Sequence, residues 1–318
     1  MVHLLRASLA GVVLTVVAAA SAATAQTAQS TVTLADGRKL AMTCVGEGGP
    51  TILLDAGLGM PLASWNKVMP ELGKTARTCA YNRAGYMGSD PGPMPRDAAH
   101  VVDDMKALTA AAGLPAPYVL VAQSLGGNHA RLFAARFPDQ VAGVVLIDPV
   151  TDDEARLRAA APEEEQSWRG LEDRVERCIR MRARGEAWSG ADPANAICGP
   201  APTLPLPAAD IAMAQAVVSE YSSRGISTRQ IGEVRTGAPR FPIIVLTADG
   251  ATRYPDAPQA DVSTVQAVYV ELHRQIAATS PTGEQRTIAG GSHLMQWDKP
   301  EVVIATIREV VTRYRNGG

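Results

Sequence analysis

The chain has 318 residues, 46% of them hydrophobic and 19% charged, with a formal net charge of −2 and a pI of about 6.2. That is enough apolar material for one large core or two modest ones, and the composition is neither collagen-like nor that of a disordered or coiled-coil chain. Acids and bases are mixed along the sequence with no basic stripe, which excludes nucleic acid as a partner, because its backbone has to be matched by clustered cations.

At the start, Arg6 stands ahead of an apolar run over residues 9–20, followed by small residues ending Ala23-Thr24-Ala25. These are the three parts of a secretory signal peptide cleaved after Ala25. The alternative, a membrane anchor, needs about 20 apolar residues, more than the run supplies. No later stretch could cross a membrane, so a periplasmic or secreted protein without stable membrane insertion is expected. Export gives meaning to the four cysteines, since an oxidising compartment permits disulfides. Cys178 and Cys198 bracket a short segment bearing Gly, Pro and Asn, and Cys44 and Cys79 each sit in a predicted strand, so these are the natural pairs. Four buried free thiols are the alternative.

Beyond residue 30 the sequence alternates short apolar strands with helical stretches, the pattern of an α/β protein with a mostly parallel sheet. Strands are predicted at 31–34, 39–45, 51–55, 77–81, 118–122, 143–148, 243–247 and 285–289. Asp36-Gly37 between the first two predicts a two-residue hairpin turn. Apolar residues spaced by three and four, as at Val101, Met105, Leu108 and Ala112 or Val303, Ile307, Val310 and Tyr314, predict helices that cover both faces of the sheet. The alternation breaks over 151–237, where charged helical text, a Pro-rich run and a further helical stretch from Ala208 to Arg224 contain no strand. A helical insertion there reads as a lid over the carboxyl ends of the strands, where open α/β sheets place their ligands. The expected domains are thus a signal peptide (1–25), a first core segment (26–150), a helical lid (151–237) and a second core segment (238–318).

The sharpest local signal is Ala122-Gln123-Ser124-Leu125-Gly126-Gly127, which joins the strand 118–122 to a helical stretch over 128–137. A serine on such a strand-turn-helix is held strained and exposed, and the residues two before and two after it must be small for strand and helix to approach. Ala122 and Gly126 meet that need, which marks Ser124 as a nucleophile. A serine needs a base, and histidine can take a proton near neutral pH. Of five histidines, His3 lies in the signal peptide, His100 and His273 fall in predicted helices and read as solvated or locally satisfied, and His129 reads as a packing residue. His293, in the Gly-rich loop after the last strand, is delivered to the same sheet edge as Ser124 and is the candidate base. An oxyanion needs amide donors. The N–H of Leu125 follows the nucleophile, and the loop Asp55-Ala56-Gly57-Leu58-Gly59 can bring the N–H of Leu58 opposite it.

With these residues assembled, the chain resembles the α/β-hydrolase family over nearly all of its length after the signal peptide. Gly57-Leu58 followed by Trp65 resembles the family's oxyanion loop, with Ala56 where a histidine is usual. Residues Tyr81-Asn82-Arg83-Ala84-Gly85-Tyr86-Met87-Gly88-Ser89-Asp90 resemble a structural loop beside the family's site, and Gly291-Ser292-His293 resembles its catalytic histidine loop. The resemblance implies the α/β-hydrolase fold, with a mostly parallel eight-stranded sheet flanked by helices and a lid after the sixth strand. It also implies a Ser-acid-His triad, an acyl-enzyme and no cofactor. It does not imply a substrate.

The acid is the open position. In many members of the family it follows the seventh strand, where this chain has Thr247-Ala248-Asp249-Gly250-Ala251, with alanine at the equivalent place and Asp249 two residues early. Some members carry it at the end of the sixth strand, where Asp148-Pro149 stands. Asp148 is favoured, with Pro149 expected to hold it extended, and Asp249 or Asp256 are the alternatives. No set of His, Cys or acidic residues has metal spacing, and charged text such as Glu163 to Glu165 reads as solvated lid surface. The expected activity is hydrolysis of a carboxylic ester or related acyl bond in a small molecule, with no protein partner implied. An acyltransferase with the same triad and a non-catalytic binding protein of the same fold are the alternatives. Epoxide hydrolase and haloalkane dehalogenase chemistry is disfavoured, because those members of the family need an aspartate where Ser124 stands.

Overall fold

A computed structural model describes residues 30–160, 177, 180–186, 207–234, 237–250 and 259–317. Residues 1–25, Cys178, Cys198, Asp256 and Glu163 to Glu165, on which readings were made above, lie outside the described residues. Eight strands form one sheet: β1 (Ser30–Thr33), β2 (Lys39–Val45), β3 (Thr51–Asp55), β4 (Thr78–Tyr81), β5 (Tyr118–Gln123), β6 (Val141–Ile147), β7 (Ile243–Ala248) and β8 (Glu284–Ile288). Their order is β1-β2-β4-β3-β5-β6-β7-β8, antiparallel at β1/β2 and β2/β4 and parallel elsewhere. Around the sheet stand α1 (Met69–Gly73), α2 (Ala98–Ala111), α3 (Gly126–Arg136), α4 (Glu154–Ala160), α5 (Ala208–Ser222), α6 (Arg224–Glu233), α7 (Gln259–Ala277), α8 (Met295–Asp298) and α9 (Pro300–Arg315).

The central strands read as continuous apolar runs because both faces are covered. Alternation divides them: Leu53, Leu120, Ala122, Val144, Leu146 and Val245 meet α2, α3 and α7 on one face. Ile52, Leu54, Val121, Val145, Ile147 and Leu246 meet Trp65, Leu72 and the Val303, Ile307 and Val310 stripe of α9 on the other. The predicted strands match the observed ones within two residues at either end. The β1/β2 turn differs. Leu34 N–H bonds Arg38 O at 2.8 Å, so three residues, Ala35-Asp36-Gly37, lie inside the closing pair, and Gly37 takes φ +87°. This is the three-residue hairpin with a left-handed last position, and Asp36 favours it by accepting the Arg38 N–H through its carboxylate at 3.0 Å.

Cys44 and Cys79 face each other in the β2/β4 register and are joined by a disulfide. Between β6 and β7, α5 was expected but α6 was not. Its Gly225, Ser227, Thr228 and Gly232 make weak helical text, and tertiary bonds hold it instead. Ser227 Oγ and Gln230 Oε1 accept the N–H groups of Ala98 and Ala99 at 2.9 and 3.0 Å, and Ser219 Oγ of α5 accepts that of Arg96 at 2.8 Å. These bonds fasten α5 and α6 to the start of α2, whose first amides have no acceptor within the helix. Among the described residues no helix is long and apolar enough to cross a membrane.

Candidate active site

Ser124 lies at the sharp turn between β5 and α3 with φ +52°, and Asp148, directly after β6, has φ +46°. Among the described residues these are the only non-glycine positions in the left-handed region, a conformation that costs about 1–3 kcal/mol and survives only where neighbours enforce it. Here the two turns enforce one another: Ser124 N–H bonds Ile147 O at 3.0 Å, and Val150 N–H bonds Ser124 O at 3.2 Å. The expectation that Pro149 keeps Asp148 extended is therefore wrong. Asp148 N–H continues the ladder to Leu246 O at 2.7 Å and its Oδ1 accepts the Ala248 N–H at 3.0 Å, bonds that fix a backbone the proline alone would not select.

The small residues around Ser124 have measurable reasons. A Cβ on Gly126 would stand 2.9 Å from the carbonyl oxygens of Asp55 and Ala56. One on Gly57 would stand 2.2 Å from Gln123 Oε1 and 3.2 Å from the Ser124 Cβ. The loop after β3 thus lies directly against the Ser124 turn. Leu58 is partly exposed there, Leu125 is buried, and among the described residues nothing accepts a hydrogen bond from either N–H.

Of the candidate acids, the structure brings Asp148 to His293: its Oδ2 lies 2.6 Å from Nδ1. Asp148 is buried and the His293 side chain is 47% exposed, so the carboxylate holds the imidazole from below and leaves its other edge open to solvent. Asp249 instead braces the histidine loop, its N–H on Gly291 O at 2.8 Å and its Oδ2 accepting the Gly290 N–H at 3.0 Å. Gln123, unassigned in the sequence, donates to the His293 carbonyl at 3.0 Å.

The remaining histidines are engaged elsewhere. His100 Nδ1 lies 2.8 Å from Asp97, the cap of α2, and buried His273 bridges Thr247 Oγ1 and Pro149 O at 2.8 and 3.0 Å. His129 is more than a packing residue. Its Nδ1 lies 2.8 Å from Asp55 Oδ2, the entry to a buried cluster behind the loop 55–59. There Arg83 donates to Asp55 Oδ1 (2.8 Å), Ala56 O (2.6 Å), Gly57 O (2.8 Å), both Glu220 oxygens (2.8 and 2.9 Å) and Tyr86 Oη (3.0 Å). Tyr86 Oη donates to Glu220 at 2.7 Å and accepts the Gly59 N–H at 3.1 Å. Arg83 thus takes the carbonyls of the loop at Ala56 and Gly57. Burial opposes the Asp55 charge, but Arg83 and His129 hold its carboxyl below the usual carboxylate range. Burial likewise opposes the Arg83 charge, and Glu220, Tyr86 and Asp55 outweigh it. Burial pushes the Tyr86 phenol up, so it remains a donor.

Sequence reading missed Glu220. Its one signal is an acid in the apolar stripe of α5, spaced three and four from Val217 and Ala216, both of which pack on Tyr86 with Leu58 and Met213. Among the described residues no group of three or more His, Cys, Asp or Glu could hold a metal ion.

Comparison with known proteins agrees with this architecture. Residues 50–174 match the family described as alpha/beta hydrolase fold. A thermophilic esterase from Thermogutta terrifontis superposes with a TM-score of 0.59 at 22% identity, over 90% of this chain and 99% of that one. The epoxide hydrolase VrEH1 from Vigna radiata gives 0.59 at 17% identity, over 90% and 98%. In sequence, the chain is 36% identical over 110 residues to a protein of Hormonema carpetanum named "Probable transporter efuK", over 33% of this chain. The aligned stretches cover only 16% of the first two curated relatives. The fold is that of the α/β-hydrolases.

Proposed function

We propose that the protein is a serine hydrolase cleaving a carboxylic ester or related acyl bond of a small molecule, with Ser124 as nucleophile, His293 as base and Asp148 as the acid that orients it. The observation that carries this reading is the 2.6 Å contact of His293 Nδ1 with buried Asp148, beside a serine held at positive φ. With Nδ1–H committed to the carboxylate, Nε2 is the free lone pair and takes the Ser124 Oγ proton as Oγ bonds to the substrate carbonyl carbon. The Leu58 and Leu125 amides, without another acceptor among the described residues, receive the oxyanion. Collapse breaks the bond to the alcohol, which leaves with the proton from His293. Water, deprotonated by the same nitrogen, then releases the acid and restores Ser124. No step needs a cofactor. The esterase among the structural neighbours supports this bond type, and the serine at position 124 argues against the chemistry named for the epoxide hydrolase.

A fluorophosphonate probe is expected to label Ser124 in intact protein, and a panel of nitrophenyl esters of increasing chain length to be turned over. Hydroxylamine added to the assay reads whether water or another acceptor takes the acyl group. An intact protein that neither labels nor hydrolyses any ester would make the fold a non-catalytic binder.

The segment 151–237 is proposed as the roof of the site, and residues 1–25 as a cleaved signal for export to the periplasm or beyond. The Cys44–Cys79 bridge supports an oxidising compartment. Exported protein is expected to begin at Gln26, with Cys44 and Cys79 alkylated only after reduction, which peptide mass spectrometry reads. Replacing both by alanine should lower unfolding stability by about 3–4 kcal/mol for a loop of this length, measured in urea.

A further inference from the structure

The Leu58 amide is bracketed by three backbone groups that one buried cluster fixes. The carbonyls of Ala56 and Gly57 accept from Arg83, and the Gly59 N–H donates to Tyr86 Oη. Arg83 and Tyr86 are themselves held by a single residue of the insertion. Glu220 takes the Nε and Nη2 edge of the Arg83 guanidinium on its two oxygens and the Tyr86 proton on Oε2. All three side chains are fully buried or nearly so.

We infer that Glu220 is a positioning residue for the oxyanion loop, acting through Arg83 and Tyr86 to aim the Leu58 N–H at the reacting carbonyl. The inference rests on the proposed role of Leu58 as an oxyanion donor. The guanidinium is a rigid planar fork, so seating one edge on Glu220 sets the direction of Nη1 toward Asp55 and Ala56. The phenol has one proton, and giving it to Glu220 turns the oxygen's lone pairs toward the Gly59 N–H and Arg83 Nη2. A glutamine at 220 offers one acceptor oxygen in place of two. Whichever way it sits, Arg83 or Tyr86 then faces an N–H, and the phenol can meet that only by turning its proton away and giving up its hold on Gly59.

The test compares Glu220→Gln and Tyr86→Phe with Ser219→Ala, which alters the same helix but touches Arg96 N–H and not the loop. Two readouts are taken: amide hydrogen exchange over residues 56–60, and kcat, KM and the affinity for a trifluoromethyl ketone matched to the best nitrophenyl ester. In Glu220→Gln and Tyr86→Phe, exchange at 56–60 should quicken at least about tenfold. Their kcat should fall about 10- to 100-fold with KM within about twofold, and the ketone should weaken by the same factor as kcat/KM. Ser219→Ala should lower Tm and leave all of these as in the wild type. Glu220→Gln keeps the size of the side chain, so the comparison stands even if Tyr86→Phe does not fold. Unchanged exchange at 56–60 in folded variants overturns the inference whatever the activity, as does a loss confined to KM. Faster exchange in a protein whose wild type ignores every ester would support the positioning role and sink the hydrolase reading instead.

Discussion

Replacing Asp148 by asparagine is expected to lower ester turnover by roughly 10⁴, the loss seen when the equivalent change is made in serine proteases of another fold. The local bonds say why. The Ala248 N–H donates to Oδ1 at 3.0 Å and can be met there only by an oxygen, so the new amide must turn its NH2 toward His293. Nδ1 would then have to accept, the imidazole proton would move to Nε2, and the nitrogen proposed to take the Ser124 proton could no longer do so. Asp249→Asn has no such effect, because its amide oxygen can still receive the Gly290 N–H. That variant should keep at least about a tenth of wild-type turnover. Steady-state kinetics on protein with unchanged circular dichroism checks the pair, and the reverse ranking would move the acid to the loop after β7.

Ser124→Ala and His293→Ala should each reduce turnover by at least roughly 10³, and the double variant little further, because members of a triad act as a unit. The turn should survive the first change, since its bonds to Ile147 O, Gly127 N–H and Val150 N–H are all backbone. The second leaves buried Asp148 with one donor fewer, so a stability loss of about 1–3 kcal/mol should accompany it. Near-normal turnover by folded Ser124→Ala would end the serine hydrolase reading.

Much of the fold was legible because buried parallel strands write themselves as apolar runs and the turn residues between them are local. The Ser124 turn and the His293 loop were readable for the same reason, each being a short pattern next to a strand end. Most of what failed was decided at a distance. The conformation of Asp148 depends on Leu246, Ala248 and Ser124, which outweigh the local preference of a residue before proline. His129 looked like core because its partner Asp55 is 74 positions away. Glu220 reaches Arg83 across 137 positions, and nothing beside it in sequence announces a cation. Helix α6 is poor helical text stabilised by acceptors it offers to another helix. The hairpin turn was miscounted by one because Asp36-Gly37 suits both a two-residue turn and the end of a three-residue one.

The mutual bonding of the Ser124 and Asp148 turns has a consequence for how this protein can change. Both residues cap neighbouring parallel strands and share backbone bonds, so their separation is inherited from the strand spacing of roughly 4.8 Å and not from any side chain. Substitutions elsewhere can retune polarity and access around the two residues, but cannot stretch that interval without breaking the sheet. New specificities in such a chain should therefore arise by exchanging what surrounds a fixed ruler, and thermal motion should carry Ser124 and Asp148 together.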